Sequence, residues 1–330
     1  MPFRLIYMTF LLVASACAPA QQQQFADIGD LALTSGGVLE DCRVGYRTYG
    51  ELNDDRSNVI VIPTWFTGTS ESFERANKVG PGLLADTDKY FVVVFDALGN
   101  GVSSSPSNTT DFPRISTEDM VTSQYYVLTV HLGIDHVHAV MGISMGGMQT
   151  FSWLAKYPGF MDKAVPIDGS PRLTTFDLIQ WRTHKDILQN MQKNGRNEAE
   201  MHFVTSRLSL LTLYTPDYFV ENVPTEEFPD FIESSDSNPA MYSIDDYIAQ
   251  LEAMIDHDVL RSDGSLVSEI EADVMIVGVP SDHMVNQTPS RKFADDHRLT
   301  LFAVDSNCGH LGSSCEETAV SVRVNEFLAN

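Results

Sequence analysis

The chain has 330 residues, of which 43% are hydrophobic and 10% aromatic, and this composition is typical of a folded globular protein rather than a disordered chain. Its formal net charge of −24, from 45 acidic and 21 basic side chains, repels phosphate backbones and argues against nucleic-acid binding. The charge by itself indicates no particular substrate.

The first residues have the pattern of a secretory signal. Arg4 precedes a short apolar run, which small residues and then glutamines follow. The run is too short to stay in a bilayer as a spanning helix. Two processing routes are open: cleavage before Gln21, with residues 1–20 as the signal peptide, or lipoprotein processing, with 1–16 as the signal and a lipid anchor at Cys17. Both routes predict an exported protein, either periplasmic or secreted.

One folded domain is expected over residues 21–330, because short β-branched and aromatic runs alternate there with helical patterns. This alternation predicts an α/β protein with a mostly parallel central sheet and helices on both faces. The predicted strands lie at residues 44–49, 59–63, 90–96, 137–141, 164–167, 274–279 and 299–304. The predicted helices outside the insertion described next lie at residues 118–131, 145–156 and 316–328.

The strand pattern lapses over about residues 172–271. Helical patterns replace it, at residues 176–190, 202–213 and 244–255. We interpret this segment as a helical cap inserted over the sheet. In open parallel sheets ligands bind outside the carboxyl ends of the strands, so residues that directly follow strands are the candidates for a site.

A G-x-S-x-G motif at residues 142–146 joins the predicted strand 137–141 to the predicted helix 145–156. A serine on a tight strand-to-helix turn has a strained backbone that exposes its hydroxyl, and small residues two positions away let strand and helix approach. Ser144 is therefore the predicted nucleophile. The backbone N–H of Met145, at the start of the helix, is predicted to be one oxyanion donor.

A nucleophilic serine needs a base to take its proton and a carboxylate to orient that base. On this fold the expected order along the chain is serine, acid, histidine. Asp282 follows the predicted strand 274–279 and His310 follows the last strand, so both are predicted to complete a triad with Ser144. Asp305 is the competing acid, but its closeness to His310 along the chain favours a role in shaping that loop.

The second oxyanion donor is expected in the loop after the predicted strand 59–63. The backbone N–H of Phe66 is the first choice and that of Trp65 the second. Because a main-chain group is the donor, the side chain at this position carries little information.

Three cysteines remain after either route of processing, Cys42, Cys308 and Cys315, so at most one internal disulfide can form in an oxidising compartment. A bridge between Cys308 and Cys315 would stiffen the loop that carries His310; the alternative is that the thiols are buried and free. The spacing does not resemble a zinc site, and the predicted chemistry needs no metal or organic cofactor.

Several segments together resemble the homoserine O-acetyltransferases and their hydrolase relatives, a group with the α/β-hydrolase fold. The segments lie at residues 45–53, 67–68, 86–91, 132–134 and 142–149. The resemblance extends over about residues 44–186 and 274–328. It implies that the family's triad and oxyanion donors correspond to Ser144, Asp282, His310, Phe66 and Met145.

The chain also departs from the transferases. They use an arginine-bearing helix to hold the amino-acid substrate; the loosely matching helix here implies substrate contact by Arg182. Leu311 replaces the aspartate beside their catalytic histidine, and the rest of the insertion does not resemble theirs. These differences leave the acyl acceptor open.

We expect an exported, esterase-like serine acyl hydrolase that acts on a small-molecule acyl ester through an acyl-enzyme. Acetyl-coenzyme A and homoserine are cytosolic metabolites, so an exported transferase would lack its donor, whereas water is available everywhere. An O-acyltransferase that uses acetyl-coenzyme A is the first alternative, and a non-catalytic binding protein on the same fold is the second. The sequence indicates no oligomeric state.

Overall fold

The computed structural model describes residues 21–237, 242–261, 266 and 269–330. The predicted signal peptide and the predicted lipid anchor at Cys17 lie outside these residues. No helix within the described ranges has the length and apolar character needed to cross a membrane.

Strands and helices alternate through the described chain. The strands are β1 (Gln24–Ala32), β2 (Val38–Tyr49), β3 (Val59–Pro63), β4 (Val79–Gly80), β5 (Ala85–Asp86), β6 (Phe91–Phe95), β7 (Val137–Ile143), β8 (Met161–Ile167), β9 (Asp273–Gly278) and β10 (Thr300–Ala303). The α-helices are α1 (Ser70–Arg75), α2 (Thr117–Tyr126), α3 (Met145–Lys156), α4 (Thr175–Lys193), α5 (Glu198–Leu213), α6 (Pro216–Asn222), α7 (Phe228–Ser237), α8 (Ile244–Ile255), α9 (Thr288–His297), α10 (Gly312–Cys315) and α11 (Glu317–Ala329). A π-helical turn, Val127–His131, extends α2.

The central sheet has the strand order β1-β2-β6-β3-β7-β8-β9-β10. The six strands from β6 to β10 in this order run parallel, whereas β1 and β2 pair antiparallel at one edge. The prediction of an α/β protein with a mostly parallel sheet is thus confirmed. Because parallel strands end at the same edge, the residues that follow β7, β8, β9 and β10 are neighbours there.

Both faces of the sheet are buried. Along β3, Val59 and Val61 pack into one core cluster, and Ile60 and Ile62 pack into the other. This alternation follows from the two-residue period of a strand, and a strand covered on both faces is apolar at every position. Residues of α2, α3 and α8 complete the first cluster, while residues of α1 and α11 complete the second.

The strand β1 was not predicted from the sequence. The segment carries Asp27, Gly29 and Asp30, which are poor strand formers, and its pairing with β2 is irregular on both sides of Gly29. The glutamine tract before it, which looks like a tail, belongs to the fold instead: the amide of Gln23 donates a 2.8 Å hydrogen bond to Asp96. Tertiary pairing with β2 supplies the order that local sequence does not indicate.

The insertion between β8 and β9 contains the helices α4 to α8 in the described residues. The predicted helix 244–255 coincides with α8, and the predicted helices 176–190 and 202–213 lie within α4 and α5. The short helices α6 and α7 were not predicted. Trp181 of α4 and Leu251 of α8 are buried in the same core cluster as the sheet, which joins the insertion to the domain.

Candidate active site

Ser144 lies on the turn between β7 and α3, with φ 59° and ψ −119°. A residue with a side chain rarely adopts a positive φ, because its Cβ crowds the backbone. Glycines make the turn possible. A Cβ on Gly142 would lie 2.3 Å from the carbonyl oxygen of Gly146, and a Cβ on Gly146 would lie 2.4 Å from that of Pro63. The strained turn presents the Ser144 hydroxyl at the carboxyl edge of the sheet.

The structure brings Ser144, Asp282 and His310 together. The imidazole of His310 lies between the other two, with Nε2 2.8 Å from Oγ of Ser144 and Nδ1 2.7 Å from Oδ2 of Asp282. Since a carboxylate only accepts hydrogen bonds, Nδ1 carries the proton and donates to Asp282, which leaves Nε2 to accept from the hydroxyl. All three side chains are buried.

Asp282 is held by the backbone of its own loop. Its Oδ1 accepts hydrogen bonds of 2.9 Å from the N–H of Met284 and 3.0 Å from the N–H of Val285. With Oδ1 fixed in this way, Oδ2 is directed at the imidazole of His310. The competing acid Asp305 is exposed, and the structure does not bring it to the imidazole.

The electrostatics at His310 favour its protonated form. Burial lowers the pKa of the imidazole, but the negative charge of Asp282, the hydrogen bond to it and the nearby Asp168 outweigh burial, and the net pKa is raised. A raised pKa makes the imidazole a better acceptor for the Ser144 proton.

A disulfide joins Cys308 to Cys315 on either side of His310. The structure therefore contains the bridge that was one of the two sequence-based alternatives. Gly309, with φ 65°, packs against the insertion, since a Cβ there would lie 2.8 Å from the carbonyl oxygen of Leu213. Both features constrain the loop. Cys42 is buried and free, and burial raises the pKa of its thiol to about 12, which makes it unreactive.

The N-terminus of α3 faces the same edge of the sheet. Ser144 precedes the helix, and its side chain makes no capping hydrogen bond to it. The first N–H groups of a helix have no partner within the helix and attract negative charge. The N–H of Met145 is thus placed to contact an oxyanion that forms on a substrate bound at Ser144.

The loop after β3 holds the other candidate oxyanion donors. The N–H of Thr64 donates to a backbone carbonyl, and the N–H of Thr67 donates a 2.8 Å hydrogen bond to the amide oxygen of Gln250. In the described part of the chain, the N–H groups of Phe66 and Trp65 have no acceptor. The backbone N–H of either Phe66 or Trp65 is therefore available to donate a hydrogen bond to an oxyanion.

A cavity of about 340 Å³ opens at the Ser144 hydroxyl. Its lining is mostly apolar or aromatic, as in many small-molecule sites, and comes from both the sheet and the insertion. The described lining residues are Trp65, Phe66, Thr67, Ala76, Lys78, Ile143, Ser144, Ser209, Leu213, Tyr242, Tyr247, Met284, His310, Leu311, Ser313 and Ser314. None of them is an aspartate, a glutamate or an arginine. The ammonium of Lys78 is 2.9 Å from a carboxylate oxygen of Glu317.

Arg182, the residue expected to contact substrate, does not reach this cavity. It lies exposed on α4, whereas Trp181 and His184 of the same helix are buried. Neighbouring residues on a helix point about 100° apart, so a helix that buries Trp181 turns Arg182 toward solvent. The sequence resemblance identified a helix that carries an arginine, but it did not indicate which face of that helix is buried.

Three residues at or near the site were not predicted. Asp168 directly follows the strand β8. The rule that residues after parallel strands are site candidates, which identified Asp282 and His310, therefore also applied to Asp168. Gln250 lies within a predicted helix, and no local signal marks it as a contact of the loop after β3. Lys78 lies in a short segment between elements, where the sequence carries no motif.

Comparison with known proteins gives results consistent with this fold. The family described as alpha/beta hydrolase fold matches residues 58–314. A probable esterase of Corynebacterium glutamicum is 39% identical over 205 residues, which are 54% of this chain and 58% of that protein. A homoserine O-acetyltransferase of Methanobrevibacter ruminantium is 29% identical over 368 residues, covering 94% of this chain and 73% of that protein. The chain spans little more than half the length of the first of these relatives.

Among solved structures, an acetylester hydrolase from Corynebacterium glutamicum superimposes with a TM-score of 0.82 at 26% sequence identity, covering 94% of this chain and 96% of that one. The predicted resemblance to homoserine O-acetyltransferases is confirmed, and esterases share it.

Proposed function

Because the chain belongs to the α/β-hydrolase-fold family, we propose that it is an exported serine hydrolase that cleaves small acetyl-type esters. Its esterase and acetyltransferase homologues make it an enzyme, either a hydrolase or an acyltransferase. The observation that carries the proposal is the chain of hydrogen bonds from Ser144 through His310 to Asp282. Ser144 and His310 line a mostly apolar cavity.

The proposed reaction follows from these contacts. The Ser144 oxygen attacks the ester carbonyl carbon while its proton passes to Nε2 of His310. The oxyanion accepts hydrogen bonds from the N–H groups of Met145 and Phe66. His310 then gives the proton to the alcohol oxygen as the carbon–oxygen bond breaks. Water attacks the acyl-enzyme by the same sequence of proton transfers, which releases the acid and restores the hydroxyl. Asp282 holds the imidazole in place throughout.

The composition of the cavity supports hydrolysis over transfer to an amino acid. An acceptor such as homoserine carries an ammonium and a carboxylate, and both would need charged partners once buried. The described cavity lining offers no carboxylate for the ammonium, and its one ammonium, that of Lys78, is already paired with Glu317. An uncharged ester needs neither partner.

The signal pattern at the start of the sequence supports export. Export supports hydrolysis in turn, because an exported enzyme has water as its acceptor but no cytosolic acetyl-coenzyme A. The acetyl group is the acyl group cleaved by a structural relative, the acetylester hydrolase, and a cavity of about 340 Å³ accommodates an ester of that size.

The test compares hydrolysis with transfer. Purified protein is incubated with p-nitrophenyl acetate and its longer-chain homologues, and separately with acetyl-coenzyme A and homoserine, with Ser144→Ala as the blank. We expect hydrolysis of the acetate ester well above the Ser144→Ala rate, and little acetylhomoserine. Faster transfer than hydrolysis would establish the acyltransferase alternative. Failure of a fluorophosphonate probe to label the wild-type protein, together with no turnover, would leave the non-catalytic binding protein.

A further inference from the structure

Asp168 directly follows β8, which lies in the sheet between the strand that precedes Ser144 and the strand that precedes Asp282. Four adjacent parallel strands, β7 to β10, thus lead in order to Ser144, Asp168, Asp282 and His310. Three of these residues form the proposed triad. The fourth is a carboxylic acid for which the proposed mechanism has given no role.

The Asp168 side chain is fully buried, yet neither carboxyl oxygen makes a hydrogen bond of good geometry within the described chain, and the nearby hydroxyl of Ser313 interacts with it only weakly. A buried carboxyl with a structural role is normally well bonded. Asp96 shows the contrast: it is buried too, and it accepts hydrogen bonds of 2.7 Å from the N–H of Ser70 and 2.8 Å from the amide of Gln23. A buried carboxyl that lacks well-formed hydrogen bonds costs stability, and groups of this kind are concentrated at functional sites.

The backbone at Asp168 connects it to the nucleophile turn. Asp168 has φ 48°, a conformation unusual for a residue with a side chain, and its N–H donates a 2.9 Å hydrogen bond to the carbonyl of Val277 on β9. The carbonyl of the preceding Ile167 accepts a 2.8 Å hydrogen bond from the N–H of Ser144. The same short segment therefore supports the serine and carries the second acid.

The ionisable side chains that act on Asp168 come from three other parts of the fold. Burial raises the pKa of the Asp168 carboxyl to about 7, and the negative charge of Asp282 adds to the rise. The positive charges of His310 and Lys78 oppose it, as does the hydroxyl of Ser313. The coupling is mutual, because the charge of Asp168 contributes to the raised pKa of His310.

We infer that Asp168 is a second acidic positioning residue of the relay, which stabilises the protonated imidazole of His310 alongside Asp282 and substitutes for Asp282 when that side chain is neutral. This inference rests on the proposed function. No proton leaves Asp168 in the reaction. When the Ser144 proton moves to Nε2 of His310, the imidazolium gains a second negative neighbour, and it loses that stabilisation when Asp168 is protonated.

The first experiment is the pH profile of kcat/KM for ester hydrolysis by Asp168→Asn, with the exposed Asp305→Asn as the matched control. Asparagine tolerates a positive φ better than most residues, so the backbone is preserved. We expect kcat/KM of Asp168→Asn to fall about tenfold at pH 8 and its acid limb to move about half a unit to lower pH, while Asp305→Asn matches wild type. A profile for Asp168→Asn that overlays the wild-type curve would overturn the inference.

The second experiment uses Asp282→Asn, which leaves residue 168 unchanged and so does not depend on the folding of any Asp168 variant. A triad that loses its only acid slows about ten-thousandfold. With Asp168 as a substitute, we expect a smaller loss and residual activity that rises as the pH increases through the pKa of Asp168, which lies below its wild-type value of about 7 once the charge of Asp282 is removed. We also expect a further loss of at least about tenfold in the double variant Asp282→Asn/Asp168→Asn. A full loss in Asp282→Asn, or a flat profile, contradicts the inference.

Wild-type turnover and fluorophosphonate labelling test the proposed function independently of the role of Asp168. If wild type hydrolyses ester and is labelled but the Asp168 results fail, only the role of Asp168 is overturned. If wild type does neither, the proposed function itself fails.

Discussion

Gln250, on a helix of the insertion, bridges two loops at the carboxyl edge of the sheet. Its amide oxygen accepts a 2.8 Å hydrogen bond from the N–H of Thr67, and its amide nitrogen donates a 3.2 Å hydrogen bond to the carbonyl of Leu98. The side chain is fully buried, and Thr67 has φ 60°. The insertion thus holds the loop that carries the free N–H of Phe66, in addition to lining the cavity.

Replacing Gln250 with alanine should misplace this loop and weaken oxyanion binding. Loss of one oxyanion donor lowers kcat by about 100- to 1000-fold, so we expect a loss of kcat up to that range with a smaller change in KM. Gln192→Ala is the control, because Gln192 is only half-buried on an insertion helix, and its side chain bonds among described groups to the exposed Asp245. Equal kinetics for the two variants would show that the bridge does not position the donor.

Ser144→Ala and His310→Ala should each lower turnover of acetate esters by about a millionfold, as removal of the nucleophile or base does in triad enzymes. The double variant should be about as slow as either single one, because the two groups act as a unit. Thermal unfolding checks that each variant folds. A loss of tenfold or less in either single variant would contradict the proposed roles.

Activity should fall as the pH is lowered, because His310 must be neutral at Nε2 to accept the Ser144 proton. Because the net pKa of His310 is raised, kcat/KM should reach its full value above this pKa and fall as the pH decreases through it. The midpoint of this fall should lie above 6.5, the ordinary pKa of histidine. The measurement is kcat/KM from pH 4 to 9 with an uncharged ester. A midpoint well below 6.5 would show that Asp282 does not stabilise the imidazolium.

Gly146→Ala should destabilise the protein, since its Cβ would lie 2.4 Å from the carbonyl oxygen of Pro63 and neither backbone can yield freely. We expect a loss of about 2–4 kcal/mol in the free energy of unfolding. Gly37→Ala is the control: the nearest atom to its Cβ would be 3.6 Å away, and the change should stay within about 0.5 kcal/mol. Chemical denaturation measures both variants.

Much of the sheet could be predicted because most of its strands carry a recognisable hydrophobic pattern in their local sequence. The two-residue alternation along β3 and the apolar runs of β7 and β8 are visible in the sequence, and the order of elements limits the topology. The exception, β1, depends on its pairing with β2, which compensates for residues that disfavour strands.

The amino-acid sequence by itself determined the turn at Ser144, because the clash that requires Gly142 involves the backbone of Gly146 in the same turn. It also identified Asp282 and His310 as residues that follow strands. Only the tertiary structure decided that Arg182 faces solvent, that Gln250 holds a loop 183 residues away along the chain, and that the carboxyl of Asp168 is buried without a hydrogen bond of good geometry in the described chain. The physical reason is that these properties depend on how the insertion folds back and which strands become neighbours, and local sequence patterns do not encode either.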